Sequence, residues 1–338
     1  MKNFILSLSF LTVSGLAFGQ QAPQFTQFMQ TGALFNPGMT GINSSPDIKI
    51  GYRKQWAGLP NSPSTLFASG SVKFGTDVPI PTVSLPVRGR LSNQFQTSAQ
   101  GSDVKPGKFR HALGAFIIAD QTSPTALNIG NLSYALHIAL NSKWNLSVGA
   151  GLSVSQTSLN RDKLNVSVKD DAGIGTGLNS KINPDLNAGA FLSSETFFIG
   201  YSANYLFRND IYSLSDKSTL VGKQKAHHYG VLGFRFDLNE NWNLSPAAMI
   251  KFVDGSPLSS DVYCRFNYKD VLWFGPGFRN QDAFSGFLGV YLSNLLSVSY
   301  AYDYNYSNLN TASNGSHEVV LGLRLIKNNV KTSRPSMW

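Results

Sequence analysis

Between residues 144 and 154 the apolar side chains Trp144, Leu146, Val148, Ala150, Leu152 and Val154 alternate with Asn145, Ser147, Gly149, Gly151 and Ser153. Successive side chains of an extended strand point to opposite faces, so a period of two predicts a β-strand with one apolar and one small or polar face. The pattern returns at Trp242, with Leu244, Ala248, Ile250 and Phe252 on one face and Asn243, Ser245 and Lys251 on the other. Each copy follows nearly the same turn, Leu140-Asn-Ser-Lys-Trp144-Asn-Leu146 and Leu238-Asn-Glu-Asn-Trp242-Asn-Leu244.

Reading in both directions from these hairpins gives about fourteen strands, at roughly 47–56, 65–74, 109–119, 130–140, 144–154, 186–192, 196–207, 228–238, 242–252, 259–268, 271–276, 285–292, 295–304 and 317–326. After strands four, six, eight, ten and twelve the links are short: Asn141 to Lys143, Ser193 to Glu195, Asn239 to Asn241, Lys269 to Asp270 and Ser293 to Asn294. The intervening links are mostly longer. Short turns on one rim and long loops on the other, with an even strand number, are the pattern of a transmembrane antiparallel β-barrel whose two termini face the periplasm. The expected fold is therefore all-β, a barrel over 47–326 with a small N-terminal periplasmic or plug segment at 20–46 and a tail at 327–338. Leu132, Tyr134, Leu136 and Ile138, with Leu321, Leu323 and Leu325, are expected to face lipid. A secreted soluble all-β protein is the alternative.

The start of the chain points the same way. Lys2, an apolar stretch over residues 4–13 and small residues at Ala17 and Gly19 form a signal peptide, residues 1–19, cleaved before Gln20. Its apolar stretch is too short to span a membrane, and no later run reaches the ~18 apolar residues that a spanning helix needs. Charged residues make up 14% of the 338-residue chain while Gly (31), Phe (23) and Tyr (13) are plentiful, as expected where polar lumen residues offset lipid-facing ones. The net charge of +9, or +8 without Lys2, comes from scattered basic residues and gives no nucleic-acid footprint. It suits contact with acidic lipopolysaccharide, an acidic partner or anionic solutes. The single cysteine, Cys264, has no disulfide partner within the chain and reads as an apolar filler of strand 259–268.

Candidate chemistry is sparse. Asp170 and Asp171 lack the spaced oxygen ligands of a calcium loop, and His227 and His228, adjacent on a strand, point apart. No Gly-x-Ser-x-Gly elbow, His-Glu-x-x-His motif or phosphate-binding loop occurs, so neither enzyme activity nor a cofactor is expected. The apolar Phe25, Phe28, Met29 and Phe35 require a packing place, and a segment at the periplasmic mouth could supply it as a plug or against the rim. Residues 75–107, rich in Pro, Gly and Ser, form either a docking loop on the short-turn rim or a sign that the strand count is off by one. Segments 121–129, 155–185 and 208–227 read as outer links, although 174–182 could hide a short strand.

Several short blocks occur in a telling order: Gln24-Phe25 with Gln27-Phe28, then Phe35-Asn36-Pro37 with Gly41, then Tyr52-Arg53-Lys54-Gln55-Trp56 with Gly58 and a Pro-rich turn. Together they closely resemble the start of the PorP/SprF family of Bacteroidota outer-membrane proteins, although the family's usual Asn-Pro-Ala-Tyr-Ala-Gly is here Asn36-Pro37-Gly38-Met39-Thr40-Gly41. The resemblance implies a non-catalytic outer-membrane component or accessory of the type IX secretion system. Such a protein assists export or surface attachment of a specific large cargo, such as an adhesin used in gliding motility. Phe35, Asn36, Pro37, Gly41, Tyr52, Arg53, Lys54, Gln55, Trp56 and Gly58 are its structural signature here. If Ile48, Ile50 and Tyr52 face lipid, Arg53 faces the lumen, Lys54 snorkels to the outer interface and Trp56 joins the aromatic belt. The partners expected are the secretion machinery, a large cargo bound by loops 157–183 and 208–226, and outer-membrane lipid. A porin for small solutes is the competing function.

Overall fold

The computed structural model describes residues 23–43, 45–75, 109–160, 178–213, 221–269, 271–293, 295–306, 311 and 313–325. Fourteen antiparallel strands form the wall: β1 (Asp47–Lys54), β2 (Ser64–Phe74), β3 (Phe109–Thr122), β4 (Thr125–Ala139), β5 (Asn145–Asn160), β6 (Leu178–Ser193), β7 (Phe197–Asn204), β8 (His227–Phe234), β9 (Trp242–Val253), β10 (Ser259–Tyr268), β11 (Leu272–Arg279), β12 (Ala283–Tyr291), β13 (Leu296–Asn305) and β14 (Ser316–Arg324). Each pairs with its neighbour in sequence, and β1 pairs with β14 from Asp47↔Arg324 to Lys54↔His317. The ring is closed. An open edge in hydrocarbon would leave backbone groups unpaired at several kcal/mol each, so closure is what lets this sheet cross a bilayer. No helix among the described residues is long and apolar enough to do so.

Alternation sorts the side chains as the sequence pattern requires. Leu132, Leu152 and Leu321 are exposed on the outer face, while their neighbours Asn131, Ser133, Ser153 and Val320 are buried in the lumen. Ile48, Ile50 and Tyr52 are also outward and exposed. Cys264, half-buried, lies on the outer parity between exposed Val262 and half-buried Phe266, where a small apolar group suits lipid. Aromatic clusters mark the two edges of the apolar band: Trp144–Phe197–Phe234 near one rim, and Phe278–Phe284–Tyr306 near the other.

We call the rim where β1 begins and β14 ends the lower rim. The five short links fall there, and so does the link between β2 and β3, whose residues 76–108 lie outside the described set. The strand count of fourteen stands without a correction at that point. Two expectations about the upper rim do not hold. Residues 121–129 are not a loop, because β3 and β4 stay paired up to Thr122↔Thr125 and turn over two residues. The Thr-Ser-Pro-Thr sequence is the punctuation of that tight turn rather than of a long link. Likewise β5 runs on to Asn160 and pairs with Leu178, so the strand suspected within 174–182 is the upper part of β6. Residues 161–177, including Asp170 and Asp171, lie outside the described set.

Candidate functional site: a plugged lumen

Residues 23–43 fold into the barrel. They form two short 3-10 turns, Gly32–Leu34 and Pro37–Met39, and bury Phe25, Phe28, Met29, Leu34, Phe35 and Met39 against Phe67, Phe116, Phe191, Phe198, Tyr229, Met249 and Tyr263 of the wall. This apolar segment therefore makes up much of the core of the molecule. Of the two placements expected, plug or rim, the segment takes the lumen, and its path reaches the upper end as well as the lower. Pro23 and Gln24 lie at the upper end, where they line the same cavity as Asp254 and Ser256; Gln30 descends to Lys49; Phe35 rises to Tyr229; and Ile42 returns to the lower rim beside Lys73, just before β1. The segment crosses the lumen three times.

Two polar anchors hold it to opposite halves of the wall. On the β13–β14–β1 side, the backbone N–H groups of Thr26 and Gln27 donate to the two oxygens of Glu318 (2.7 and 3.0 Å). Thr26 Oγ1 donates to Asp303 (2.8 Å to Oδ2) and accepts from Arg53 Nη1 (2.7 Å). Arg53 Nη2 pairs with Asp303 at 2.7 Å, and its Nη1 lies 3.3 Å from Glu318. The cluster extends through Arg279, which reaches Asp303 (3.5 Å) and Asp261 (3.1 Å) and donates to the Phe25 carbonyl (3.4 Å), to Lys251, paired with Asp261 at 2.6 Å. Arg53, Arg279 and Lys251 thus face the buried Asp261, Asp303 and Glu318, and Arg279 also reaches the partly exposed Asp282 (3.3 Å). Burying charges in this way is tolerable because each is paired with opposite charge and most polar atoms are hydrogen-bonded.

The second anchor is Asn36. Its Oδ1 accepts from Gly38 N (2.8 Å), capping the second 3-10 turn, while its Nδ2 donates to the carbonyls of Ala190 and Tyr201 on β6 and β7 (3.1 and 3.3 Å). The Phe35 carbonyl accepts from Ser202 Oγ and Asn204 Nδ2, both at 2.9 Å. The turn sits so close to the wall that a Cβ at Gly189 would lie 2.1 Å from Asn36 Oδ1, and one at Gly149 2.3 Å from the Pro37 carbonyl oxygen. Nearer the lower rim, His137 Nε2 is 2.8 Å from the Thr40 carbonyl. A carbonyl can only accept, so Nε2 carries the proton and Nδ1 of the neutral ring accepts from Ser147 Oγ (2.6 Å).

The signature residues divide between plug and wall. Phe35, Asn36 and Pro37 form the turn just described, and Gly41, with φ of +64°, leads the chain out of it beside Ala112. Tyr52 faces outward and Arg53 is 1% exposed in the charge cluster. Lys54 Nζ reaches the upper rim, where it donates to the Ser62 carbonyl of the β1–β2 link (2.8 Å). Gln55 N donates to the Pro63 carbonyl (2.9 Å), and Gly58 abuts Asn314. Trp56 N donates to Ser316 Oγ (3.1 Å), and its indole Nε1 is buried without a hydrogen-bond partner among the described residues.

Sequence reasoning missed Thr26, Asp303, Glu318, Arg279, Asp261 and His137. For all but Thr26, which lies in the plug, the signal was parity: in a chain so poor in charge, these strand residues fall on the inward face.

At the upper end the plug leaves a cavity of about 430 Å3, bordered by Phe35, Leu127, Tyr205, Tyr229, Asp120 and Lys225 among others. The upper link between β7 and β8 carries a small hairpin, Asp210–Ser213 with Val221–Lys223, while residues 214–220 lie outside the described set. His227 is buried inward and His228 meets Tyr201 on the outer face, so the two rings diverge as adjacent strand positions must. Among the described residues no group of three or more His, Cys, Asp or Glu could hold a metal ion.

A closed fourteen-stranded barrel with an apolar outer band and a folded segment in its lumen is an outer-membrane protein. The family model for the type IX secretion system membrane protein PorP/SprF matches residues 17–323, and the chain belongs to that family. It is thus a non-catalytic protein of the outer membrane associated with type IX secretion. Among solved structures it is similar to the Ralstonia pickettii toluene transporter TbuX, at 9% identity and a TM-score of 0.50 over 92% of this chain and 97% of that one. It is also similar to the Pseudomonas putida toluene transporter TodX (10%, 0.49, 91% and 96%) and to a Pseudomonas aeruginosa FadL homologue (9%, 0.45, 86% and 91%). At such identities the likeness concerns the fold alone. Comparison with the curated protein sequences gives no match.

Proposed function

We propose that this barrel is a closed, cargo-selective partner of the type IX machinery that holds or receives one large exported protein, such as an adhesin used in gliding, at the cell surface. The observation that carries this reading is the plug: residues 23–43 cross the lumen three times and are tied to the wall on two sides, which suits a scaffold better than a conduit. In this reading residues 1–19 are removed on export and the lower rim faces the periplasm. The chain then enters β1 and leaves β14 on that side, and the tail 327–338 lies outside the described residues. In this reading the segments 157–183 and 208–226, which include the upper ends of β5 and β6, are the ones that meet cargo and lipopolysaccharide. Deleting the gene and comparing surface and secreted proteomes tests the proposal. Selective loss of one or a few cargos is expected, whereas an unchanged proteome with lost uptake of a solute would favour the porin instead.

A further inference from the structure

Two of the five histidines, His137 and His227, are buried inward. The other three lie on the outer face near a rim, His111 at the lower and His228 and His317 at the upper, and each has a tyrosine phenol at its Nδ1. Tyr134 lies 2.6 Å from His111, Tyr201 2.7 Å from His228 and Tyr300 2.7 Å from His317. The geometry repeats. Across the ladder His111 stands opposite Leu136, His228 opposite Ala203 and His317 opposite Tyr302, so each tyrosine sits two residues nearer mid-wall than the histidine it meets. A phenol turned toward hydrocarbon needs a partner for its O–H, and the imidazole just rimward of it accepts that bond. With Nδ1 accepting, the neutral ring carries its proton on Nε2, and a protonated ring carries one there too. Each pair therefore presents an N–H near the edge of the apolar band.

One of the three also has a cation beside it. His317 and Lys54 are direct cross-strand partners on the outer face where β14 meets β1, and such partners hold their Cβ atoms about 4.5–5.5 Å apart. Lys54 donates to the Ser62 carbonyl and pairs with no carboxylate among the described residues, which leaves its ammonium group with donors to spare. Nε2 of His317 likewise has no hydrogen-bond partner among them. The outward strand positions around the two are Tyr52, Ser64, Tyr300 and Tyr302, none of them acidic. From this juxtaposition we infer that Lys54 and His317 form a binding site for a phosphate of an outer-leaflet lipid, with Tyr300 as the positioning residue that holds the imidazole. The place selects a lipid over a free anion. Directly toward mid-wall lie the exposed Tyr52, Val319 and Leu321, along which acyl chains run while the headgroup meets the two donors. The inference rests on the orientation given above, in which the upper rim faces the cell exterior and the phosphate is that of lipopolysaccharide.

The test uses the full-length exported protein, purified from the outer membrane and delipidated in detergent. It is titrated with lipid A, either carrying its phosphates or stripped of them, and binding is read by native mass spectrometry. Lys54→Gln should weaken binding of the phosphorylated lipid by about fivefold and His317→Phe by about tenfold, while Lys54→Arg keeps it, since a guanidinium also holds phosphate. Tyr300→Phe leaves Nε2 in place but frees the ring to turn; it should cost about threefold alone and nothing more on top of His317→Phe, which a mere packing role would not produce. Heat-modifiable migration shows that each variant is folded. An unchanged affinity in the Lys54→Gln, His317→Phe double variant overturns the inference. So does equal binding of the phosphate-free lipid, or displacement of lipid A by inorganic phosphate at equal concentration. Orientation is checked separately with a membrane-impermeant maleimide at Pro257→Cys, an exposed position of the β9–β10 link, in a Cys264→Ala background. Labelling on intact cells is expected, and labelling only after lysis overturns the outer-leaflet assignment whatever the affinities are.

Discussion

Replacing Glu318 with glutamine changes little in shape and much in charge. The carboxylate accepts from two plug N–H groups, at 2.7 and 3.0 Å, and faces Arg53 at 3.3 Å, all of it buried. A carboxamide with its oxygen in the Oε2 place can still accept from the Thr26 N–H and Arg53, but its NH2 then confronts the Gln27 N–H; flipped, the NH2 confronts both Thr26 N–H and the guanidinium. Arg53 also loses one of its two buried carboxylate partners and keeps only Asp303, which it shares with Arg279. Breaking a buried pair in this way costs about 3–5 kcal/mol. If that cost falls on plug docking, the undocked population rises on the order of a hundred- to several-thousand-fold. Chymotrypsin provides the assay, since Phe25, Phe28 and Phe35 are buried in the docked plug and become cleavable when it opens. Cleavage under conditions of rapid reclosing tracks the open population, so its rate should rise by the same factor, with the barrel's heat-modifiable migration retained. A Glu318→Gln rate within about threefold of wild type, the range of a neutral surface substitution, would refute the claim that this carboxylate anchors the plug.

Gly189→Ala places a methyl group 2.1 Å from Asn36 Oδ1, so the Asn36 turn must shift; we expect a loss of about 1–3 kcal/mol, read as a lower midpoint of denaturant unfolding in detergent, and no change would show that the turn is not tightly seated. Leu132→Arg puts a charge at a lipid-facing position that is 71% exposed and should cost about 2–4 kcal/mol in bilayers, whereas a folding equilibrium in vesicles equal to wild type would place residue 132 outside the apolar band. In planar bilayers the wild-type protein should lack a large steady conductance and a variant lacking residues 23–43 should gain one; steady large currents from the wild type would favour the porin. Arg53→Met combined with Asp303→Leu should recover part of the loss seen with Arg53→Met alone, since it removes the orphaned carboxylate, and additive losses in the double-mutant cycle would argue against direct coupling.

Strand number, closure and facing could be read from the sequence because lipid and lumen impose opposite demands on successive residues. Leu132 and Ser133 need no tertiary knowledge to be assigned to different sides. Boundaries were harder to read. Above the membrane the apolar demand lapses, so β5 and β6 continue as largely polar strands toward Asn160 and Leu178 with no apolar alternation to mark them. The plug posed a different difficulty. Its Phe25, Phe28 and Phe35 announced that they must be buried, but nothing local says that a chain of turns will rise and fall inside a tube. Arg53 was placed in the lumen by parity, yet its partners Asp303 and Glu318 lie some 250 residues or more away in sequence and meet it through ring closure.

The pairing that closes the ring has a built-in check on alignment. Arg53 and Glu318 are direct cross-strand partners at the junction of the first and last strands. If β14 met β1 one residue out of step, every side chain on one of them would swap faces. Glu318 would then be presented to hydrocarbon, or Arg53 would, and the plug would find no carboxylate for the N–H groups of Thr26 and Gln27. A misaligned junction is thus penalised on both sides of the wall at once. The ends of the chain lock together in the single register that also receives the segment preceding β1.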